Sequence, residues 1–90
     1  MEIQPGRLFV DGVWTEAASG ETFETIDPAT GRVIAQVAKA GAADADRAVA
    51  AARRAFDDGP WGPDSEPRER AAVLVRAADW IRSNRERLAH

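Results

Sequence analysis

The stretch TIDPATGRVIAQV, residues 25–37, decides the architecture around it, because almost every residue in its first half has a task in the backbone. Asp27 can accept hydrogen bonds from backbone N–H groups just ahead of it. Pro28 presets φ for the first corner of a type I turn, and Gly31 supplies the left-handed conformation that closes a four-residue hairpin loop. Beyond the loop, Val33, Ala35 and Val37 alternate with Ile34, Gln36 and Ala38, which describes a strand with one clearly apolar face and one mixed face. The stretch therefore reads as the turn and second strand of a β-hairpin, with no side chain of the turn assigned to chemistry.

Upstream, LFVDGVW (residues 8–14) reads as two short strands around Asp11-Gly12, the dipeptide that best tolerates the positive φ angles of a two-residue hairpin turn. A polar link, EAASGET, with a turn signal at Ser19-Gly20, joins the two hairpins. Together they occupy about residues 7–38.

Downstream the period changes. Ala45, Ala48, Val49, Ala52 and Phe56 recur at helical spacing in a segment rich in alanine, the best helix former. Gly41 is the expected N-cap, with Asp44 and Asp46 in the first turns where the macrodipole favours negative charge. Gly59-Pro60 ends this helix, which spans about residues 42–57. The small side chains of its apolar stripe predict close packing against another element.

DDGPWGPDSEP (57–67) is a loop by composition, and its isolated Trp61 is expected to anchor it on a neighbouring surface. Ser65 is the expected N-cap of a longer helix over about 66–89. Its stripe comprises Ala71, Leu74, Val75, Ala78, Ile81 and Leu88, widened by Val73, Ala77 and Trp80. The fold class is α+β: two β-hairpins followed by two α-helices, without internal repeats or low-complexity tracts.

Composition limits what such a chain does. Ninety residues make one small domain at most, and a core of that size is marginal unless something else covers it. The net charge is −3, and Arg68, Arg70, Arg76, Arg82, Arg85 and Arg87 are interleaved with Glu66, Glu69, Asp79 and Glu86. That is a solvated, salt-bridged helix face rather than a phosphate-tracking stripe, so nucleic acid is not an expected partner. The longest apolar run, AAVLV, is far too short to cross a bilayer, and MEIQPGR is no secretory leader. No membrane partner is expected, and the cytoplasm is the expected location.

Chemistry is sparse. The chain contains no cysteine, hence no thiol nucleophile, thiolate metal site or disulfide. Its one histidine, His90, lies at a terminus that frays. Asp44, Asp46, Asp57 and Asp58 all have helix-end or surface explanations. DGPWGP is not a phosphate cradle, since its prolines remove backbone donors and no strand leads into it. On the residues alone, this is an α+β segment without an active site.

The order of elements and their wording nevertheless resemble one family. LFVDGVW, then TF-x-TIDPATGRVIAQV, then DADRAVAAARRAF, a tryptophan loop and RERAAVLVRAADWIRSNRERLA are similar to the N-terminal segment of the NAD(P)-dependent aldehyde dehydrogenases, over about residues 7–89. The resemblance implies a fragment of the larger α/β dehydrogenase fold, lacking the dinucleotide and catalytic domains. It implies oxidation of an aldehyde to a carboxylic acid with NAD or NADP, by a cysteine thiolate, an oxyanion-holding asparagine and a water-activating glutamate. All of these, with the coenzyme-gripping residues, lie outside this sequence, so neither catalysis nor coenzyme binding is expected of the chain alone.

The partners implied are the remainder of the dehydrogenase chain and, when complete, further copies of itself. One site residue transfers: the backbone carbonyl of Ile26, before the Asp-Pro of the hairpin, corresponds to a carbonyl that helps coordinate a monovalent cation in some members. Two other readings stand beside this one, a small non-enzymatic interaction module that docks through the stripe of the 66–89 helix and an inactive truncated remnant.

Overall fold

The computed structural model describes residues 3–89 and shows two antiparallel two-stranded sheets followed by helices. The elements are β1 (Leu8–Val10), β2 (Val13–Thr15), β3 (Thr22–Ile26), β4 (Val33–Ala38), α1 (Ala42–Asp58), α2 (Pro67–Ser83) and α3 (Arg85–Ala89). The chain divides into two compact units, one up to Arg54 and one from Ala55 onward.

In the first unit, β1 pairs with β2 in the register Leu8↔Thr15, Phe9↔Trp14, Val10↔Val13. Asp11 and Gly12 both take positive φ, 54° and 76°, the combination a two-residue type I′ turn requires. Between β3 and β4, Asp27 Oδ1 accepts the Ala29 N–H at 2.8 Å. Gly31 N–H donates to the Asp27 carbonyl and Asp27 N–H to the Arg32 carbonyl, each at 2.8 Å. Gly31 sits at φ 73°, so Asp27 and Gly31 perform the backbone tasks expected of them.

Two features of this sheet were not legible. Thr25 faces Ala35 but Ile26 faces Val33, so Ile34 is the extra residue of a β-bulge. Gly6 adds a parallel bridge to Val37 at the other edge of β4, donating to the Gln36 carbonyl and accepting from Ala38 N–H, both at 2.8 Å. A single bridging residue has no period from which to be read.

Helix α1 begins after Gly41, whose carbonyl accepts from Ala45 N–H at 3.1 Å, and closes with Gly59 N–H on the Ala55 carbonyl at 2.9 Å. Its buried face differs from the one expected. The buried residues are Asp44 and Ala51, two turns apart, whereas Val49 is 69% exposed and Phe56 50%. The stripe from Ala45 to Phe56 lies about a quarter turn round the helix from that face. A polar side chain with partners has set the helix's orientation, which a search for apolar period could not reveal.

In the second unit, Gly62 N–H reaches the Gly59 carbonyl and Ser65 N–H the Gly62 carbonyl, winding the loop back on itself. The N-cap of α2 is Glu66 rather than Ser65, at φ −70° and ψ 128°. Pro67 occupies the first helical position and holds the residue before it extended, which fixes the boundary. The hydroxyl and carbonyl of Ser65 instead accept from Arg70 Nη1, at 2.6 and 2.7 Å.

The single helix expected over 66–89 is broken at Asn84, with φ −114° and ψ 16°. The backbone N–H of Asn84 donates to the carbonyls of Trp80 and Ile81, and its side-chain amide also donates to Trp80, at 2.8 Å. A short polar side chain that competes for backbone carbonyls closes one helix and lets α3 start.

Among the described residues, the buried apolar side chains are Ala17, Ala38 and Ala51, and α2 buries none. Trp61 remains 45% exposed, so the anchoring expected of it is only half realised in these residues.

Candidate functional site

The most constrained polar group is the carboxylate of Asp44, only 3% exposed. The sequence places it at the third position of α1, where a carboxylate can reach back to the N–H of the capping residue. It does so: Oδ2 accepts the Gly41 N–H at 2.9 Å. Its other oxygen, Oδ1, accepts the Ala18 N–H at 3.0 Å, from a turn 26 residues earlier, and a hydrogen bond from Arg47 Nη2 at 2.6 Å. Every buried side-chain polar atom among the described residues is partnered.

These donors all favour the ionised form. The Gly41 N–H, the Arg47 guanidinium and the Ala18 N–H, in that order, hold the Asp44 carboxyl below its ordinary value of 3.8, against the opposing effect of burial. Such a group is a structural anion and has no proton to exchange near neutral pH.

Beside it, a shallow groove of about 310 Å³ runs between the first hairpin and α1. Arg54 crosses it to Asp11 at 3.2 Å, and both side chains are well exposed, so this ion pair contributes little. Arg47, also on the groove, is committed to Asp44.

Ile26 closes β3 at the bulge, with its side chain 52% exposed. No group of three or more His, Cys, Asp or Glu residues suited to a metal ion occurs among the described residues. His90 lies outside them. Asp46, Asp57 and Asp58 are exposed. Sequence reasoning gave Asp44 a dipole role only; the Gly41-x-x-Asp44 spacing pointed to its local bond, whereas nothing in the sequence pointed to Ala18.

Around Asp44 this geometry braces the start of α1 against the turn at residues 17–20. The model of the aldehyde dehydrogenase family matches residues 14–90. The benzaldehyde dehydrogenase, mitochondrial, of Antirrhinum majus is 45% identical over 89 residues, covering 99% of this chain and 16% of its own length. The solved NAD-dependent aldehyde dehydrogenase from Sinorhizobium meliloti superposes with a TM-score of 0.82 at 40% identity, over 98% of this chain and 18% of that one. The Mycobacterium tuberculosis aldehyde dehydrogenase complexed with NAD+ gives 0.79 at 42% identity, over 93% and 17%.

The chain therefore belongs to the aldehyde dehydrogenase family of oxidoreductases, as an N-terminal segment of it. It spans about 16% of the length of the Antirrhinum relative. No helix among the described residues is long and apolar enough to cross a membrane.

Proposed function

We propose that these residues form the structural N-terminal segment of an enzyme that oxidises an aldehyde to a carboxylic acid with NAD or NADP, and that they are inactive alone. The observation that carries this reading is the apolar surface left uncovered. Leu74 and Val75 are each 61% exposed and Ile81 54%, whereas the buried apolar residues among those described are three alanines. A patch of that kind marks a surface that another body covers. The remainder of the dehydrogenase chain is the body proposed.

The chemistry agrees with that division. A thiolate is the nucleophile the family reaction needs, and this chain has no cysteine to supply one. The residues present do not fit a dinucleotide either. The Gly59 N–H is spent on the Ala55 carbonyl of α1, those of Gly62 and Ser65 within their own loop, and the prolines there offer none. NAD is favoured as coenzyme by the NAD-bound relative from Mycobacterium tuberculosis, with NADP as the alternative.

The Ile26 carbonyl is proposed as one ligand of a monovalent cation, supported by the ladder irregularity beside it; its other oxygen ligands would come from other segments. The complete enzyme is proposed to be a homo-oligomer of the cytoplasm. The mitochondrial relative from Antirrhinum majus names the other compartment that cell fractionation would detect.

The test is to purify the native gene product, measure its intact mass, and follow reduced nicotinamide with a panel of aldehydes and either coenzyme. A product much larger than 9.7 kDa that turns over aldehydes, beside an inert ninety-residue chain, is the expected result. A finished product of 9.7 kDa would overturn it in favour of the interaction module or the remnant.

A further inference from the structure

The second hairpin closes at its base with the Lys39 N–H on the Glu21 carbonyl, at 2.8 Å. Beyond that rung, the inbound chain is the turn at residues 17–20, held by Gly20 N–H on the Ala17 carbonyl at 2.9 Å, and the outbound chain is Gly41. The Asp44 carboxylate spans these two segments. One oxygen takes the N–H of Ala18, three residues before Glu21, and the other takes that of Gly41, two residues after Lys39.

We infer that Asp44 is a clasp: its carboxylate adds a rung below the second hairpin, joins the hairpin's inbound and outbound chain to the first turn of α1, and opens when protonated or removed. This goes beyond the enzymatic reading and does not depend on it.

Aspartate suits the task for definite reasons. Two N–H donors from separate segments need two acceptor oxygens, which an ionised carboxylate has. Asparagine offers one oxygen and sets an N–H against the other donor, and protonation does the same with an O–H. Glutamate adds a methylene that would move both oxygens from their positions on the Ala18 and Gly41 N–H groups. Bonds to a charged acceptor are stronger than neutral ones, which favours this rung over an ordinary backbone pair.

The charged group that meets Asp44 is Arg47, from the same helix, while Gly41 and the turn at 17–20 present backbone N–H. The neighbours in sequence that titrate, Glu16, Glu21, Lys39 and Asp46, are exposed. The clasp therefore answers to the Asp44 proton and to loss of Arg47, with Arg47 the weaker control because both backbone bonds survive without it.

Hydrogen exchange on the complete gene product separates a clasp from an ordinary helix cap. In Asp44→Asn, amides at 17–20 and at 41–45 should exchange on the order of tenfold faster, while those at 23–37 keep their rates. Acceleration confined to 41–45 would reduce Asp44 to a cap, and uniform acceleration would make it a general contributor to stability. Either outcome, or no change, overturns the clasp.

Should the variant not fold, the wild-type protein still decides. On acid titration by NMR, the Ala18 and Gly41 amide resonances should move together with one midpoint shared with the Asp44 carboxyl. An Ala18 resonance that stays still, or separate midpoints, overturns the inference.

Discussion

Phe9 and Trp14 stand opposite each other across the first hairpin, ring centroids 4.8 Å apart and planes tilted by 46°. Both rings are more than half exposed, so the pair braces a three-residue ladder from its surface rather than filling a core. A double-mutant cycle of Phe9→Leu and Trp14→Val should give a coupling of about 0.5–1.5 kcal/mol in denaturant midpoints. Strict additivity would mean that the two rings are neighbours without interacting.

Gly31→Ala should cost about 1–2 kcal/mol, because the position demands φ 73° and nothing nearby would reward a methyl group. Asn, which tolerates the left-handed region, should cost less. The equilibrium urea midpoint checks both, and an Ala variant as stable as the parent would contradict the strain.

Acid should weaken the first unit through Asp44. A carboxyl held below its unfolded value stabilises the fold above that value, and the contribution is lost as pH falls through the lower folded value, here below 3.8. Asp44→Asn should be less stable at neutral pH and lose part of the acid dependence. Urea midpoints measured from neutral to strongly acid pH for parent and variant should therefore converge; parallel curves would rule this out.

Asn84→Ala should let α2 and α3 run together. Alanine removes the amide that competes for the Trp80 carbonyl and adds the strongest helix former. More negative ellipticity at the helical band, with slower exchange over residues 85–89, is the expected result. Unchanged spectra would place the cause of the break elsewhere, for instance in the Arg87 guanidinium 5.9 Å from the Trp80 ring centroid.

The ninety residues expressed alone should associate or melt at low temperature without a sharp transition, since Leu74, Val75, Trp80 and Ile81 all stay more than half exposed. Sedimentation across a concentration series, paired with a thermal melt, checks this. A monomer with a cooperative, high-temperature melt would contradict it.

What could be read in the sequence was local. Asp11-Gly12 and Asp27-Pro28 with Gly31 specify their turns through φ preferences and short-range hydrogen bonds, so both hairpins were visible. Pro67 should have moved the start of α2 by one residue, since it constrains the residue before it, and Ser65 drew attention only as a good capping type. The bulge at Ile34 and the Gly6 bridge depend on pairing across the sheet, which the period of either strand alone does not carry. Asp44 was half legible: its reach to Gly41 follows from spacing, its reach to Ala18 from tertiary structure. The apolar stripes are plain in the sequence, but in this segment apolar character and burial part company.

That separation has a bearing on synthesis. On the proposed reading this segment would leave the ribosome first, with hairpins and helices that close through short-range bonds while its apolar faces wait for the remainder of the chain. A nascent chain of that kind would pass through an interval in which well-formed elements are sticky. Shielding by a chaperone during that interval, more than any slowness in forming strands or turns, should set the yield of folded protein.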